Sequence, residues 1–225
     1  MNIVHATGID GARHARGVVV VIDVLRAFTV SAYALTGGAR ECRLVQTVAE
    51  ARALAEKTPG SVICAEEDGL PVEGIAISNS PTRIRATDLM DRILIQRSTA
   101  GTQAVAAVAG DDIFAASLVV ARATVQACLL RKPETLTLVA SADYPEDHAC
   151  AQYMEAIIEG SPPDLEQLLA PLRESERYHR LMSGVWPGFP PTDLELALQA
   201  DLFDFAMPAA RQTGYLRLTA VRGAG

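Results

Sequence analysis

The sequence has little of what nucleic-acid, membrane or secreted proteins require. Only two lysines, Lys57 and Lys132, occur, and the 27 acids against 20 Lys and Arg residues give a net charge of −7. Binding to phosphate backbones needs clustered Lys and Arg, so no nucleic-acid partner is expected. No apolar run approaches the roughly 20 residues that cross a bilayer, and the N-terminus lacks the basic-then-apolar order of a signal peptide. We therefore expect a cytoplasmic protein with no membrane partner.

Cysteine is also scarce and is not arranged for metal or redox chemistry. The four cysteines lie in apolar segments, and no pair has the close spacing of a zinc knuckle or a redox motif; they are Cys42, Cys64, Cys128 and Cys150. This pattern predicts buried free thiols. Apolar residues make up 49% of the chain, so 225 residues can build a sizeable core, in one large α/β domain or in two small ones.

Short apolar runs alternate with helical segments along the chain. The run 18–22 is continuous and β-branched, which predicts a strand buried on both faces. Thr47 opens a Thr-Val-Ala-Glu capping box, which predicts a helix that ends near residue 57. Further strands are predicted at 42–45, 61–65, 91–96, 112–116 and 135–140, and further helices at 28–35, 103–109, 121–130 and from 145. The order predicts a layered α/β fold with a mostly parallel (mixed) β-sheet flanked by helices.

The character of the sequence changes after Gly160, where prolines separate short helical patterns. We assign 1–160 to an α/β domain that carries a strand-end active site, and 161–225 to a helical C-terminal cap on the same core. A final strand is predicted at 215–221, at an edge of the sheet. The segment 70–85 is dense in Gly, Pro, Asn and Ser, which predicts a long ordered loop of the kind that often carries function.

Charged and hydroxyl side chains follow the predicted strands. Asp23 and Arg26 come after the first strand, and Glu66 begins an acidic run after a later one. In open α/β sheets ligands bind beyond the carboxyl ends of strands, which makes these residues site candidates. The turn 98–102 precedes a helix and combines hydroxyls with a glycine, which suits an anion because amides, hydroxyls and the helix dipole all favour negative charge. Ordinary helix caps and surface ion pairs are the alternative interpretation.

Five segments in collinear order resemble the 2-phosphosulfolactate phosphatase family. They are Val-Ile-Asp-Val-Leu-Arg-Ala-Phe-Thr at 21–29, Gly-Leu-Pro-Val-Glu-Gly at 69–74, Asn-Ser-Pro at 79–81, Gly-Thr at 101–102 and Glu-Asp at 146–147. The resemblance implies a magnesium-dependent phosphatase that hydrolyses 2-phospho-3-sulfolactate to sulfolactate and phosphate, a step towards coenzyme M. This chain departs from the family at Ala100, where members usually carry Asn, and in the segment 117–120, which lacks an Asn.

The candidate roles follow from this resemblance and from the chemistry of phosphate esters. The catalytic candidates are Asp23, Arg26, Glu66 and Asp147; the Mg²⁺ ligands are Asp23, Glu66 and Asp147, with Glu67 and Glu73 as reserves; and the substrate-binding candidates are Asn79, Ser80, Ser98, Thr99, Gly101 and Thr102. Mg²⁺ takes oxygen ligands and keeps several waters, so two or three carboxylates suffice. Arg83 or Arg97 is expected to hold a carboxylate or sulfonate of the substrate.

Several alternatives stay open. Haloacid-dehalogenase-type phosphatases use Asp-x-Asp, but Leu25 stands at the second position, so attack by water is favoured over an aspartyl-phosphate. His148 is interpreted as a helix-surface residue rather than an acid or base. A family member that binds an anionic metabolite or a protein partner without turnover is the second function considered. A nucleotide site is third, because Gly-x-Gly-x-x-Gly and Walker patterns are absent. The expected binding partner is a small anionic phosphoester substrate, and the oligomeric state considered is a homodimer.

Overall fold

A computed structural model describes residues 1–223, which form an α/β fold around a ten-stranded sheet. The strands are β1 (Asn2–Thr7), β2 (Val18–Ile22), β3 (Glu41–Leu44), β4 (Val62–Glu67), β5 (Leu70–Pro71), β6 (Ile93–Arg97), β7 (Ile113–Ala116), β8 (Thr135–Ala140), β9 (Met207–Gln212) and β10 (Tyr215–Leu218). The α-helices of the described residues are α1 (Gly8–His14), α2 (Ala27–Thr36), α3 (Val48–Glu56), α4 (Pro81–Arg85), α5 (Gly101–Ala107), α6 (Ala121–Leu130), α7 (Pro145–Glu159), α8 (Leu165–Arg173), α9 (Glu176–Met182) and α10 (Thr192–Ala197).

The sheet consists of two parallel halves joined by an antiparallel hairpin. Its strand order is β1-β8-β2-β7-β9-β10-β3-β6-β4-β5. The first four strands run parallel to one another, and so do β3, β6 and β4. Strands β9 and β10 pair antiparallel with each other and with their outer neighbours, β7 and β3. The predicted α/β class, with a mostly parallel mixed sheet and flanking helices, is confirmed.

The prediction that the final strand lies at an edge of the sheet is wrong. Strand β10 pairs with β3 on one side and β9 on the other, so the hairpin lies in the interior of the sheet. The sheet instead ends at β1 and at the two-residue β5, neither of which the sequence pattern revealed. Alternating apolar residues show that a strand is partly buried, but not which strand it pairs with, because pairing depends on distant parts of the chain.

The strand predicted at 18–22 is confirmed as the centre of one half of the sheet. All five side chains of β2 are buried, because β8 and β7 pair with its two edges and helices cover its faces. The capping box before α3 is also present. The Thr47 side chain accepts a hydrogen bond from the Glu50 N–H at 3.1 Å, and the Glu50 carboxylate accepts one from the Thr47 N–H at 2.9 Å.

The segment 70–85, predicted as a long ordered loop, contains regular secondary structure. It contains β5 and the five-residue helix α4, which begins at Pro81 after the cap Ser80. One helical turn is too short to show a periodic apolar pattern, which is why the sequence predicted a loop. The four cysteines are buried free thiols, as predicted. Among the described residues no helix has both the length and the apolar character that crossing a membrane requires.

Candidate active site

A cavity of about 830 Å³ opens beyond the carboxyl ends of β2, β4, β6 and β8. It is lined by residues that follow these strands, by residues of helix α1 and by residues of the segment 177–189. The lining residues that matter for its chemistry are Asp23, Arg26, Glu66, Asn79, Thr99, Tyr144, Arg177, Trp186 and Phe189. Ligand sites in open α/β sheets lie at this end of the strands, so this cavity is the candidate active site.

Asp23 is the residue directly after β2, and its carboxylate is buried at the floor of the cavity. Its Oδ1 accepts a hydrogen bond from the Ala27 N–H at 2.9 Å, at the start of α2. Burial raises the pKa of Asp23 to about 6; the Ala27 hydrogen bond opposes this increase, and the negative charges of Glu66 and Glu146 add to it. A Cβ atom at position 101 would lie 2.5 Å from Asp23 Oδ2, so Gly101 lets α5 begin against this carboxylate.

Arg26 is held at the cavity wall by the C-terminal part of the chain. Its Nη1 donates to the Gly188 carbonyl oxygen at 2.6 Å and to Asp193 Oδ2 at 2.9 Å. Its guanidinium carbon lies 4.3 Å from the centroid of the Phe189 ring. Asp193 is fully buried, so this ion pair is shielded from solvent. The guanidinium therefore has one fixed orientation, which suits the binding of an anion.

Glu66, near the end of β4, joins two loops beside the cavity. Its carboxylate accepts hydrogen bonds from the Gly69 N–H at 2.6 Å, the Thr99 N–H at 2.5 Å and the Thr99 hydroxyl at 3.0 Å. A carboxylate has about four lone-pair positions, so these three bonds leave it one for a ligand. Glu66 therefore orders the two loops and can still accept one further bond from a ligand in the cavity.

Asp147 lies next to the cavity floor but does not line the cavity. Its Oδ1 accepts a hydrogen bond from the Val24 N–H at 2.8 Å, and its Oδ2 accepts one from the Ser141 hydroxyl at 3.0 Å. Burial raises the pKa of Asp147 well above its ordinary value, and the negative charge of Asp23 is the second-largest cause of this increase. The structure therefore places Asp147 behind Asp23, where it holds the peptide that follows Asp23.

Glu146, the neighbour of Asp147 in the chain, was not among the predicted site residues, but it is a buried acid of the same group. Its Oε1 forms an ion pair with Arg177 of α9. Its Oε2 is buried and has no hydrogen-bond partner. An unpartnered carboxylate oxygen beside two other buried acids indicates a place where positive charge would be stabilised.

The predicted substrate-binding residues divide into two groups. Asn79 and Thr99 line the cavity, whereas the other four do not; these are Ser80, Ser98, Gly101 and Thr102. The Ser98 hydroxyl accepts a hydrogen bond from the Thr102 N–H at 3.0 Å, and the Thr102 hydroxyl accepts one from the Ser98 N–H at 3.0 Å. The Ser80 hydroxyl donates to Asp193 Oδ1 at 2.8 Å. These hydroxyls brace the turns instead of facing a ligand.

The reserve acids and the predicted second arginine also lie outside the cavity lining. Glu67, Glu73 and Arg83 are exposed. Arg97 donates to the backbone carbonyls of Glu66 and Gln46 and to the Thr99 hydroxyl. His148 forms a hydrogen bond with Asp143 at 2.8 Å on the surface of the protein. This agrees with its interpretation as a helix-surface residue.

Arg177 and three aromatic residues also line the cavity, and none of them was predicted from the sequence as a site residue. Arg177 lies 4.0 Å from the Tyr144 ring centroid, and the other two aromatic residues are Trp186 and Phe189. The segment Trp-Pro-Gly-Phe-Pro-Pro at 186–191 was visible as a break between helices. The one feature of this segment that could have indicated a functional role is that it contains the only tryptophan of the chain.

The donor set fits a hard divalent cation in charge and in chemistry. Asp23 and Glu66 line the cavity with carboxylate oxygens, and Glu146 adds a buried oxygen without a partner. Oxygen donors of this kind are those that Mg²⁺ takes in proteins. Within residues 1–223, however, no three His, Cys, Asp or Glu side chains are grouped closely enough to hold a metal ion, so Asp23, Glu66 and Asp147 do not form a preassembled set of three ligands.

Comparison with known proteins gives consistent results. The sequence profile of the family described as 2-phosphosulpholactate phosphatase matches residues 5–209. A probable 2-phosphosulfolactate phosphatase of Bacillus subtilis is 40% identical over 146 residues, which cover 63% of this chain and 64% of that protein. Proteins of the same description from Thermotoga maritima and Carboxydothermus hydrogenoformans are 34% and 33% identical over 53% and 62% of this chain. The matched part spans 51% to 64% of the length of these relatives.

Proposed function

Because the chain belongs to the 2-phosphosulfolactate phosphatase family, we propose that it hydrolyses a small anionic phosphomonoester, with 2-phospho-3-sulfolactate as the substrate. The observation that carries the proposal is the placement of Asp23, Glu66 and Arg26 around one strand-end cavity. Hydrolysis of a phosphomonoester needs neutralisation of the phosphoryl oxygens, a positioned water and stabilisation of the leaving alkoxide. Acids and a fixed guanidinium in one cavity are suited to these tasks.

Asp23 and Glu66 are the residues that would hold a Mg²⁺ ion, with bound water completing its coordination. Such an ion supplies charge neutralisation on the phosphoryl group and orients the attacking water. Asp147 would act indirectly, because its hydrogen bond to the Val24 N–H fixes the backbone next to Asp23. Glu146 has an oxygen without a partner and adds negative charge beside Asp23.

The remaining cavity residues would bind and enclose the ester. Arg26 is fixed by Asp193 and would bind phosphoryl oxygens. Arg177, which also lines the cavity, would hold the sulfonate or carboxylate, and Phe189 would exclude bulk water. In the overall reaction the water oxygen bonds to phosphorus as the ester C–O–P linkage breaks at phosphorus. One water proton passes to the leaving oxygen, which gives sulfolactate and inorganic phosphate.

The proposal is tested by phosphate release from 2-phospho-3-sulfolactate and from generic phosphomonoesters. We expect activity that EDTA abolishes and added Mg²⁺ restores, and that Asp23→Ala reduces by at least about 10³-fold. Asp111→Ala is the matched control, because Asp111 is an exposed acid distant from the cavity lining, and it should retain full activity. Metal-independent hydrolysis, or unchanged activity of Asp23→Ala, would refute the proposed site.

A binding protein without turnover is the second candidate. Ala100 lines the cavity at the position where family members usually carry a polar residue, and this observation favours it. Folded protein that binds inorganic phosphate but releases none from any of the esters would support this candidate over the enzyme. The cytoplasmic location, the homodimer and the lack of nucleic-acid partners stay predictions of the sequence.

A further inference from the structure

A buried glutamine lies directly behind one of the cavity residues. Gln96, on β6, is 0% exposed, although a side-chain amide is costly to bury without partners. All of its polar atoms are paired. The Ser31 hydroxyl donates to Gln96 Oε1 at 2.6 Å, and Gln96 Nε2 donates to the Ala27 carbonyl at 2.7 Å and to Asn79 Oδ1 at 3.1 Å. Gln96 itself does not line the cavity, whereas Asn79 does.

The backbone carbonyl of Ala27 determines which way both amides point. A carbonyl oxygen has no hydrogen, so the Gln96 atom 2.7 Å from it must be the NH₂ nitrogen. The second hydrogen of that NH₂ group is then directed at Asn79, 3.1 Å away, and the Asn79 atom that receives it must be the oxygen. The orientation of Asn79 therefore follows from hydrogen-bond chemistry and not from an arbitrary choice between two similar atoms.

The NH₂ group of Asn79 is left facing the cavity. Within residues 1–223, the fully enclosed side-chain atoms without a partner are Ser117 Oγ and Glu146 Oε2. Among the described residues Asn79 Nδ2 also has no hydrogen-bond partner, and it is not one of these enclosed atoms, so it is accessible from outside the core, and Asn79 lines the cavity. The opposite orientation would present an oxygen, which attracts cations; this one presents a donor, which attracts anions.

Arg26 is a second hydrogen-bond donor that lines the cavity, and Asp193 holds both Arg26 and the residue after Asn79. Asp193 accepts hydrogen bonds from Arg26 at 2.9 Å and from Ser80, the residue after Asn79, at 2.8 Å. Arg26 and Ser80, the residue that follows Asn79, are thus linked through the Asp193 carboxylate. Two donors that line one cavity and are each held by hydrogen bonds, one of them charged, form a suitable site for one anionic group.

We propose that Gln96 is a positioning residue, which orients the Asn79 amide so that position 79 donates a hydrogen bond to an anionic group of the substrate. This inference rests on the proposed phosphatase function and assigns Asn79 to the ester rather than to a metal ion.

Two changes test it. Gln96→Met keeps the length of the side chain but removes the constraint on Asn79, and Asn79→Ala removes the donor. We expect each to raise KM for the ester, and the dissociation constant for inorganic phosphate measured by calorimetry, by about tenfold, the effect of one hydrogen bond to a charged group. In the Asn79→Ala background, Gln96→Met should add less than about twofold, because the amide that Gln96 orients is already gone. Thr124→Val is the matched control: Thr124 is equally buried and donates to the Val120 carbonyl, so it should lower the unfolding temperature but leave both constants unchanged.

The outcomes separate this inference from the proposed function. Unchanged phosphate affinity in folded Gln96→Met, or an equal loss in the Asn79→Ala background, would overturn the positioning role even if the wild type is an active phosphatase. Wild-type protein that hydrolyses no phosphomonoester, yet binds phosphate more tightly than Gln96→Met does, would refute the phosphatase and support the positioning role.

Discussion

Asp147 accepts a hydrogen bond from the backbone N–H of Val24 at 2.8 Å, and this contact joins the first turn of α7 to the peptide that follows Asp23. Two acids that are 124 positions apart in the chain are thereby placed next to each other, Asp147 in the first turn of α7 and Asp23 directly after β2. Burial raises the pKa of both, and the negative charge of Asp23 raises the pKa of Asp147 further. The hydrogen bonds that Asp23 and Asp147 accept are therefore not enough to offset the cost of ionising both carboxyls.

Asp147→Asn should stabilise the protein increasingly as the pH rises. The pKa of Asp147 in the folded state lies above the ordinary value of 3.8, so its carboxyl has no destabilising effect below about pH 4, where both states are protonated. As the pH rises towards the folded pKa, the unfolded chain loses the proton and the folded chain retains it, so the free energy of unfolding falls. Asn has no charge, and its amide can still pair with Val24 and Ser141.

Urea unfolding at pH 5, 6, 7 and 8 checks this prediction. The gain of Asp147→Asn over the wild type should grow as the pH rises from 5, because the raised pKa of Asp147 makes the folded protein pay for ionisation that the unfolded chain does not. Asp111→Asn, at an exposed position, should show no such trend. A pH-independent difference for Asp147→Asn would contradict the raised pKa.

Gly101→Ala should damage the site through crowding. The new Cβ would lie 2.5 Å from Asp23 Oδ2 and 3.0 Å from the Ala27 Cβ, so either α5 or the carboxylate must move. Crowding of this kind typically costs about 1–3 kcal/mol of stability. We expect a loss of that size in chemical unfolding, together with a loss of phosphatase activity of at least about tenfold.

The matched control for this change is Gly110→Ala, because a Cβ at Gly110 meets nothing within 4 Å. That variant should retain the activity and the stability of the wild type. A Gly101→Ala protein as active as Gly110→Ala would show that Asp23 need not stay where the structure has it.

Asp193→Ala should destabilise the fold and release Arg26. Asp193 is 0% exposed and accepts hydrogen bonds from Arg26, the Ser80 hydroxyl and the Thr82 N–H. Removal of one partner from a buried ion pair costs about 3–5 kcal/mol, because the remaining charge has no compensation. We expect a loss of this size in chemical unfolding, and a higher KM in whatever protein stays folded.

A surface pair provides the comparison for Asp193. Asp204 pairs with Arg222 at 3.1 Å, and both side chains are largely exposed. Asp204→Ala should therefore change the stability by about 0–1 kcal/mol. Similar losses for the two variants would mean that the pair of Arg26 and Asp193 is not shielded from water.

Glu66→Gln should loosen the loops beside the cavity. Each carboxylate oxygen of Glu66 accepts a hydrogen bond from a backbone N–H, of Gly69 or of Thr99. Gln must turn its NH₂ group towards one of these donors, which leaves that N–H unpaired at a cost of about 1–3 kcal/mol. We expect faster hydrogen exchange of the Gly69 or the Thr99 amide by nuclear magnetic resonance.

Glu67→Gln is the control for this experiment, since Glu67 is the exposed neighbour. It should leave the exchange of both amides unchanged. Protection of both amides in Glu66→Gln would indicate that the loops are held by other contacts.

Local patterns in the sequence were sufficient for the elements that short-range chemistry determines. The buried strand 18–22 follows from five consecutive apolar residues, and the cap of α3 follows from Thr47 and Glu50, which interact within one turn. The helix 121–130 and the strand 135–140 have the predicted bounds. The sequence also placed Asp23, Arg26, Glu66, Asn79 and Thr99 at strand ends or in the loop that reaches the cavity.

The tertiary structure alone decided which side chains face the ligand. Nothing local distinguishes Glu146, with a free oxygen, from Asp147, whose oxygens are both used, because the difference depends on Val24 and Ser141. The sequence likewise gave no sign that the C-terminal hairpin enters the centre of the sheet, or that Asp193 fixes Arg26. Composition and periodicity determine whether a residue is buried and in which type of element. Contacts between residues far apart in the chain, which form only when the chain packs, determine what each polar atom bonds.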